Sequence, residues 1–230
     1  MDPTLLEILS RVDTPTVCNA IEVVQGRRGF DAFTRGTMVC TDPGRAVIGY
    51  AATARIAALA PPTEPPEVIR TRRMAYYRAM HDAPKPSIAV IEDLDYPNAI
   101  GAYWGEINTT IHKGFGMSGA LTNGVVRDLG DLPQGFPVIA GSIGPSHGFV
   151  HVRSIGQPVR VMGLEIRQGD LVHADRHGAL VIPPAVIPAL ADAIRKLLDT
   201  ERLILDPARA PGFDLEAFEA AWAAFEAART

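Results

Sequence analysis

Cysteine is scarce in this chain of 230 residues, which contains only Cys18 and Cys40. The two lack the spacing of a zinc or redox site, so reduced thiols inside the cell explain them best. Long hydrophobic runs are also missing, because residues 46–54 end at Arg55, far short of the roughly 20 residues that cross a bilayer. The first residues lack the basic and then apolar pattern of a secretory signal. We therefore expect a cytoplasmic protein with no membrane partner.

Basic charge is not in excess. With 22 basic and 26 acidic side chains the formal net charge is −4, whereas binding to nucleic acid needs a clustered basic face that neutralises phosphates. The densest basic patch, formed by Arg70, Arg72 and Arg73, is more typical of a solvated helix face. We therefore expect no nucleic acid partner.

The composition, 47% hydrophobic and 21% charged, is typical of one globular domain that needs neither disulfides nor structural metal to fold. We predict a single domain over residues 1–205 and a helical extension over residues 206–230. The extension carries an apolar stripe at helical spacing, which predicts packing on the core or on a neighbouring subunit. The stripe consists of Leu215, Phe218, Trp222 and Phe225.

Helical patterns dominate the first half of the chain and short strands the second. Thr14 as a capping hydroxyl and Pro15 at the first helical position predict a helix that ends at Gly26. Further predicted elements are strands at 46–56, 87–91 and 120–126, helices at about 67–81 and 104–113, strands at 136–140, 148–152, 159–166, 170–174 and 179–183, and helices at about 184–203 and 214–228. This order favours an α+β fold with layered β/β/α architecture and flanking terminal helices over a regular βαβ repeat.

Three local patterns receive the simpler interpretation. Residues 114–119 match the dinucleotide fingerprint GxGxxG, but they follow a predicted helix and precede a strand, which is the wrong context. His147 and His151 would lie about 13 Å apart on a strand, too far for one zinc ion, so we interpret them as structural or surface residues. The acidic residues of 92–95 are interpreted as a solvated loop.

The strongest local signal combines Glu106 with the pair Arg127–Asp128. Glu106 opens a predicted helix, so the backbone amides of Ile107 and Asn108 should point outward and bind an anion. A glycine turn and a strand that ends at Arg127 would return the chain to the helix start. Two carboxylates, a guanidinium and free amides suit a small 2-oxo acid together with Mg²⁺ or Mn²⁺. Spacing alone favours an ion pair that closes a loop.

Three segments of the chain resemble one known family. They read Gly-Glu-Ile-Asn at 105–108, Gly-Ala-Leu-Thr-Asn-Gly-Val-Val-Arg-Asp at 119–128 and Phe-Pro-Val-Ile-Ala at 136–140, and residues 169–183 look like the family's closing strands. The family contains the class II pyruvate aldolases for 4-hydroxy-4-methyl-2-oxoglutarate and 4-carboxy-4-hydroxy-2-oxoadipate, together with regulator of ribonuclease activity A. The resemblance covers about residues 5–203. Its most specific part is the acidic residue Glu106, which is followed after twenty intervening residues by Arg127-Asp128.

The resemblance implies a β/β/α fold of the swivelling-domain type, a homotrimer or homohexamer, and a divalent-metal site near subunit interfaces. It also implies a lyase that cleaves a carbon–carbon bond in a 2-oxo acid to give pyruvate, as an aldolase, an oxaloacetate decarboxylase or both. The cofactor would be Mg²⁺ or Mn²⁺.

Residue roles follow from the resemblance by position. Asp128 would be a metal ligand, Glu106 would hold a metal-coordinated water, and Arg127 would contact the keto oxygen of pyruvate. Asp131 matches an acidic position of some members, and Glu201 resembles the C-terminal acid that a neighbouring subunit contributes. Substrate would also be bound at Gly105, Ile107 and Asn108.

The chain departs from the family pattern at several positions. Glu106 stands where the aldolases typically carry Asp, Asn123 occupies a common Asp position, and Gly141-Ser142 replace an expected Arg-Gly. The substrate is therefore open. One alternative is a non-catalytic, protein-binding regulator, and another is a related enzyme for a different 2-oxo or sugar acid. The joint presence of Glu106, Arg127 and Asp128 favours chemistry, because a binding surface does not require a metal-competent set.

Overall fold

The computed structural model describes residues 1–229 of the chain. Within these residues the helices are α1 (Pro3–Arg11), α2 (Thr14–Gln25), α3 (Pro66–Asp82), α4 (Glu106–Gly114), α5 (Ile187–Arg209) and α6 (Leu215–Arg229). The strands are β1 (Val39–Cys40), β2 (Val47–Ala57), β3 (Ser87–Asp93), β4 (Ala102–Trp104), β5 (Gly119–Thr122), β6 (Val125–Val126), β7 (Val138–Ala140), β8 (Ser142–Ile143), β9 (His151–Ile155), β10 (Val159–Val161), β11 (Leu164–Ile166), β12 (Leu171–Asp175) and β13 (Gly178–Ile182). None of the described helices has the length and apolar character needed to cross a membrane.

Helix α2 begins at Thr14, one residue earlier than predicted, so Pro15 is its second residue rather than its first. The carboxylate of Asp13 accepts the backbone N–H of Thr16 at 2.9 Å, so Asp13 is the cap and the assignment of Thr14 to that role is wrong. Thr14 is the first helical residue, and its hydroxyl lies 3.0 Å from Nδ1 of His173. The predicted end is confirmed, because Gly26 terminates the helix with a φ of 63°.

The larger sheet has the order β1-β7-β5-β3-β2-β12-β13, and β9 pairs with β2 as well. Its centre is parallel, from β2 through β3 and β5 to β7, whereas β1, β12, β13 and β9 pair antiparallel. The continuous apolar run in β3 is buried almost throughout, as expected for a strand covered on both faces.

Helices and a small hairpin cover this sheet. Helices α1, α2 and α5 pack over β12 and β13 around Leu9, Ile21 and Leu190. Helix α3 packs on β2 and β9, and the β10–β11 hairpin contacts β2 and β3. The predicted α+β class with flanking terminal helices is confirmed. Helix α5 runs without a break through residue 205 and α6 packs on it, and the domain boundary at that residue stays a prediction.

Several strand and helix predictions need correction. Trp104 ends strand β4 rather than beginning α4, and residues 159–166 form the β10–β11 hairpin rather than one strand. The strand predicted at 148–152 begins only at His151. The helix predicted at about 184–203 is α5, which begins at Ile187 after a 3-10 turn at Pro184–Val186.

The strand predicted at 120–126 is two strands that belong to different sheets. Strand β5 lies in the larger sheet, whereas β6 joins β4 and β8 in a three-stranded parallel sheet. The chain changes sheets at Asn123-Gly124, where the amide side chain of Asn123 accepts the backbone N–H of Asp93 at 2.7 Å and donates to its carbonyl at 3.1 Å. This change of sheet directs the end of β6 toward the end of β4.

Candidate functional site

Two parallel strands bring the predicted residues together. Strands β4 and β6 pair with Trp104 opposite Val126, and the backbone N–H of Arg127 donates to the carbonyl of Trp104 at 2.8 Å. The segments that follow therefore leave the same edge of the sheet, which is where ligands typically bind in parallel sheets. The backbone N–H of Glu106 donates to Oδ2 of Asp128 at 3.1 Å. Glu106 and Arg127-Asp128 therefore lie together as predicted. The pairing of β4 with β6 brings them together, and not the return of a strand along α4.

Asp128 links the two segments. Gly105 is the residue at the cap position of α4, and it has no side chain that could accept hydrogen bonds from the first helical amides. The Asp128 carboxylate, from another part of the chain, accepts the hydrogen bond of the first amide instead. The same Oδ2 lies 3.3 Å from Nε of Arg127. Asp128 has a φ of 55°, a left-handed conformation that few residues other than glycine, asparagine and aspartate adopt. Such strained backbone is concentrated at functional sites.

Gly105 lies in close contact with this pair. A Cβ atom at this position would lie 2.5 Å from Oδ2 of Asp128 and 3.0 Å from Nε of Arg127. The φ of Gly105 is −137°, so the backbone conformation suits any residue and only space requires glycine. The absence of a side chain lets the carboxylate and the guanidinium approach the start of α4.

The first amides of α4 remain available for an anion. Among the described residues, no group accepts a hydrogen bond from the backbone N–H of Ile107 or Asn108. The Asn108 side chain is fixed, since its Oδ1 accepts the Tyr77 hydroxyl at 2.7 Å and its Nδ2 donates to the carbonyl of Tyr103 at 2.6 Å. Asn108 thereby joins α3, β4 and α4 at one point.

A cavity of about 470 Å³ opens beside these residues. Arg127, Gly105, Ile107 and Asn108 form one side of its lining. The other lining residues are Pro62 and residues of α3, of the first two positions of β4 and of 147–152, and they are mostly apolar or aromatic. This mixture of apolar walls and few polar groups is typical of a site for a small molecule.

Three predicted acids differ in their positions. Glu106 and Asp131 are exposed and their carboxylates pair with no described residue, while the Asp131 backbone N–H donates to the carbonyl of Asp128 at 2.9 Å. Glu201 lies on α5 and lines a different cavity of about 610 Å³, between α2, α5 and α6. Among residues 1–229, no three or more His, Cys, Asp or Glu side chains cluster as a metal site.

One of the simpler interpretations changes with the structure. His147 is exposed and His151 is buried, in line with surface and structural roles, and both also line the cavity beside Arg127. Asp93 lies not in a solvated loop but in the interior, 1% exposed, and burial raises the pKa of its carboxyl to about 6. The interpretation of the glycine motif stands, because Gly114 ends α4 and Gly119 opens β5.

Two departures from the family pattern have a structural reason. A Cβ atom at Gly141 would overlap the backbone carbonyl of Asn123, so the expected arginine does not fit there. Asn123 needs its amide donor for the carbonyl of Asp93, and an aspartate would lack that donor. Both residues support the change of sheet rather than the cavity.

The sequence patterns did not identify the residues contributed by α3. Ile69, Arg73 and Tyr77 follow one another at intervals of four and line the cavity. That spacing is visible in the sequence, but the basic patch at 70–73 is more typical of a solvated face. Arg72 pairs with Glu64 at 2.9 Å, whereas Arg73 belongs to the lining of the cavity.

Comparisons with known proteins agree with this architecture. A sequence model of the RraA-like family, described as Aldolase/RraA, matches residues 14–181. An uncharacterized protein of Methanocaldococcus jannaschii is 29% identical over 105 residues, 45% of this chain, and the chain spans about half the length (50%) of this curated relative.

Solved structures show the same fold. An uncharacterized protein from Pseudomonas syringae has a TM-score of 0.72 at 21% identity, over 95% of this chain and 94% of that chain. Streptomyces coelicolor RraAS2, described as an unusual member of the RNase ES inhibitor RraA protein family, has a TM-score of 0.66 at 20% identity, over 91% of this chain and 98% of that chain.

Proposed function

This chain belongs to the RraA-like family, and on that premise we propose that it is a divalent-metal-dependent lyase. It cleaves a carbon–carbon bond in a 2-oxo acid and releases pyruvate, by retro-aldol reaction or by decarboxylation of oxaloacetate. The observation that carries the proposal is the contact of Arg127 and Asp128 with the start of α4, at the edge of a cavity of about 470 Å³.

The arrangement supports binding of the pyruvate half of the substrate. Its carboxylate would accept hydrogen bonds from the backbone amides of Ile107 and Asn108, which have no acceptor among the described residues. The guanidinium of Arg127 would lie beside the keto oxygen, because Gly105 leaves room for it. Positive charge at that oxygen stabilises the enolate that forms when the bond breaks.

The donor set suits a hard cation. Asp128 and Glu106 offer carboxylate oxygens at one helix start, and Mg²⁺ is commonly held by one or two carboxylates while it keeps several waters. We propose that Asp128 holds Mg²⁺ or Mn²⁺ directly and Glu106 through water, with Asp131 nearby. When bound, the cation would add Lewis-acid polarisation at the keto oxygen.

The exposed carboxylate of Glu106 is our candidate for the proton transfer. In the aldol cleavage it would accept the proton of the substrate's 4-hydroxyl through a water. The bond between C3 and C4 then breaks, C4 becomes a carbonyl, and the electron pair forms the enolate, which solvent protonates at C3 to give pyruvate. In decarboxylation, CO₂ leaves from the same position and yields the same enolate.

The proposed role of Glu201 requires a second copy of the chain. Glu201 lines a separate cavity and therefore does not reach Arg127 within its own subunit. We propose a homotrimer or homohexamer in which this acid completes a neighbouring site. The apolar residues Leu215 and Trp222, exposed on α6, are available for such contacts.

Two variants of Asp128 test the lyase. Asp128→Asn keeps an oxygen that accepts the Glu106 amide and suits the left-handed backbone, but it removes the negative charge. We expect both Asp128→Asn and Asp128→Ala to lower metal-dependent pyruvate formation at least about 100-fold, with Asp128→Asn folding like the wild type. Coupled lactate dehydrogenase assays would follow oxaloacetate and a 4-hydroxy-2-oxo diacid, with Mg²⁺ and with chelator.

Asp206→Asn, a change of an exposed acid on α5, is the matched control and should keep wild-type turnover. Wild-type protein that forms no pyruvate from either substrate would contradict the lyase and favour a non-catalytic regulator. Turnover on another 2-oxo or sugar acid, lost in Asp128→Asn, would keep the site and change the substrate.

A further inference from the structure

One face of α3 contributes to the cavity but has no part in the proposed cleavage. Ile69, Arg73 and Tyr77 lie four residues apart, so they form one stripe along the helix, and all three line the cavity. Arg127 lines the same cavity from the end of β6. The cavity therefore holds two guanidinium groups from different elements, only one of which is used to bind pyruvate.

Arg73 has no counter-ion. It forms neither an ion pair nor a hydrogen bond with any described residue, whereas its neighbour Arg72 pairs with Glu64 at 2.9 Å and Arg127 pairs with Asp128 at 3.3 Å. No acidic side chain is among the described residues that line the cavity. An anion in the cavity would thus meet a positive field that no carboxylate of the lining cancels.

Tyr103 lines the same cavity and carries an unused donor. Its residue is 7% exposed, and its hydroxyl is buried without a hydrogen-bond partner. The two adjacent tyrosine hydroxyls are already engaged, that of Tyr76 with Nε2 of His112 at 2.7 Å and that of Tyr77 with Oδ1 of Asn108 at 2.7 Å. A buried donor without an acceptor is costly, so a ligand that accepts from it gains affinity.

We propose that Arg73 and Tyr103 form a second anion subsite, which binds the distal acidic group of a dianionic 2-oxo acid whose pyruvate half lies at Arg127. This inference rests on the proposed function for its orientation. Between the two ends, Ile107 and Phe149 offer apolar surface to the carbon chain. Arg73 and Tyr103 are thereby specificity-determining residues that act on binding.

The protonation of Tyr103 is consistent with this role. Burial raises the pKa of its hydroxyl well above its ordinary value, so the group is a neutral donor at physiological pH. Burial also raises the pKa of Tyr77. The subsite therefore offers a cation and a neutral O–H donor to an anion.

Direct binding tests the subsite without turnover. Calorimetric titrations in Mg²⁺ buffer would compare 2-oxoglutarate, a diacid, with 2-oxobutyrate, a monoacid, for wild type, Arg73→Met, Tyr103→Phe and the control Arg70→Met. Arg70 is exposed on the same helix and does not line the cavity. We expect wild type to prefer the diacid at least about tenfold, Arg73→Met to remove that preference, and Arg70→Met to keep it.

Tyr103→Phe removes one oxygen atom and should reduce the preference about threefold or more, and the melting temperature should stay the same or rise, because the buried hydroxyl has no acceptor in the free protein. Equal binding of both acids by wild type, or binding of neither, overturns the subsite. An equal loss of affinity for both acids in Arg73→Met also overturns it. The outcomes separate the two proposals. Preference for the diacid without pyruvate formation refutes the lyase alone, whereas pyruvate formation without the preference refutes the subsite alone.

Discussion

Gly105 is the residue at which a single added methyl group should disrupt the site. In Gly105→Ala the Cβ atom would lie 2.5 Å from Oδ2 of Asp128, which must move together with Arg127. Because a displacement of about 1 Å at a reacting centre can cost 100-fold in rate, we expect pyruvate formation to fall about 100-fold or more. Steady-state assays would measure it.

Gly114→Ala is the matched control for this change. Gly114 ends the same helix, and a Cβ atom there would meet no atom within 4 Å. Alanine favours helix more than glycine does, so this variant should be as stable as wild type or slightly more stable, and fully active. An active Gly105→Ala would show that the contact between Gly105 and Asp128 has no part in turnover.

Single residues of the site were predictable to different degrees. Arg127-Asp128 and Glu106 were found because their types and their spacing are visible in the sequence. The need for glycine at 105 was not visible, since it depends on atoms that lie twenty-two or more residues away along the chain. Tyr103 was missed for a similar reason, because its lack of an acceptor is set by neighbours from α3 and α4.

At the scale of elements, the connection between β5 and β6 depends on one amide. In Asn123→Asp the donor to the carbonyl of Asp93 is lost and a second carboxyl is placed beside the buried Asp93. We expect the free energy of unfolding to fall by about 2 kcal/mol at pH 7, since a buried carbonyl loses its partner. Urea denaturation would measure the change.

Asn98→Asp serves as the control, because Asn98 is exposed and its side chain bonds to no described residue. It should change the free energy of unfolding by no more than about 0.5 kcal/mol. Equal stabilities of Asn123→Asp and wild type would show that the amide does not hold the connection.

Long elements followed from the sequence and short ones did not. Capping and proline signals predicted α2, the helix predicted at about 67–81 agrees with α3, and the apolar run of β3 predicted a buried strand. Strand β6 has two residues, too few to show any periodicity, so it was merged with β5 across Asn123-Gly124. The membership of β4 and β6 in a second sheet is set by pairing between distant segments, which local pattern cannot reveal.

For the whole molecule, two buried groups oppose each other in the response of stability to acid. Burial lowers the pKa of His112 to about 4. As pH falls below 6.5, this histidine is therefore protonated in the unfolded chain but stays neutral in the folded protein. Stability is lost on this account as pH falls, by about 2 kcal/mol between pH 7 and pH 5. Burial raises the pKa of Asp93 to about 6, so this carboxyl is protonated more readily in the folded protein than in the unfolded chain. It therefore increases stability by about 1 kcal/mol between pH 7 and pH 5.

Variants that remove one group should separate these effects. His112→Gln should lower stability at pH 7, because it breaks the contacts with Tyr76 and Asn108, but it should lose less stability than wild type between pH 7 and pH 5. Asp93→Asn should lose more than wild type over the same interval. Urea denaturation at both pH values measures the difference, to which other groups such as His173 contribute equally in all three proteins.

The positions of the two tryptophans give the molecule a built-in optical reporter. Trp104, fully buried at the end of β4, is the residue immediately before Gly105, whereas Trp222 is 42% exposed on α6. Replacing Trp222 with phenylalanine would leave one indole, whose emission reflects the packing beneath the start of α4. Occupation of the cavity could then be followed by fluorescence in a protein that needs no attached dye.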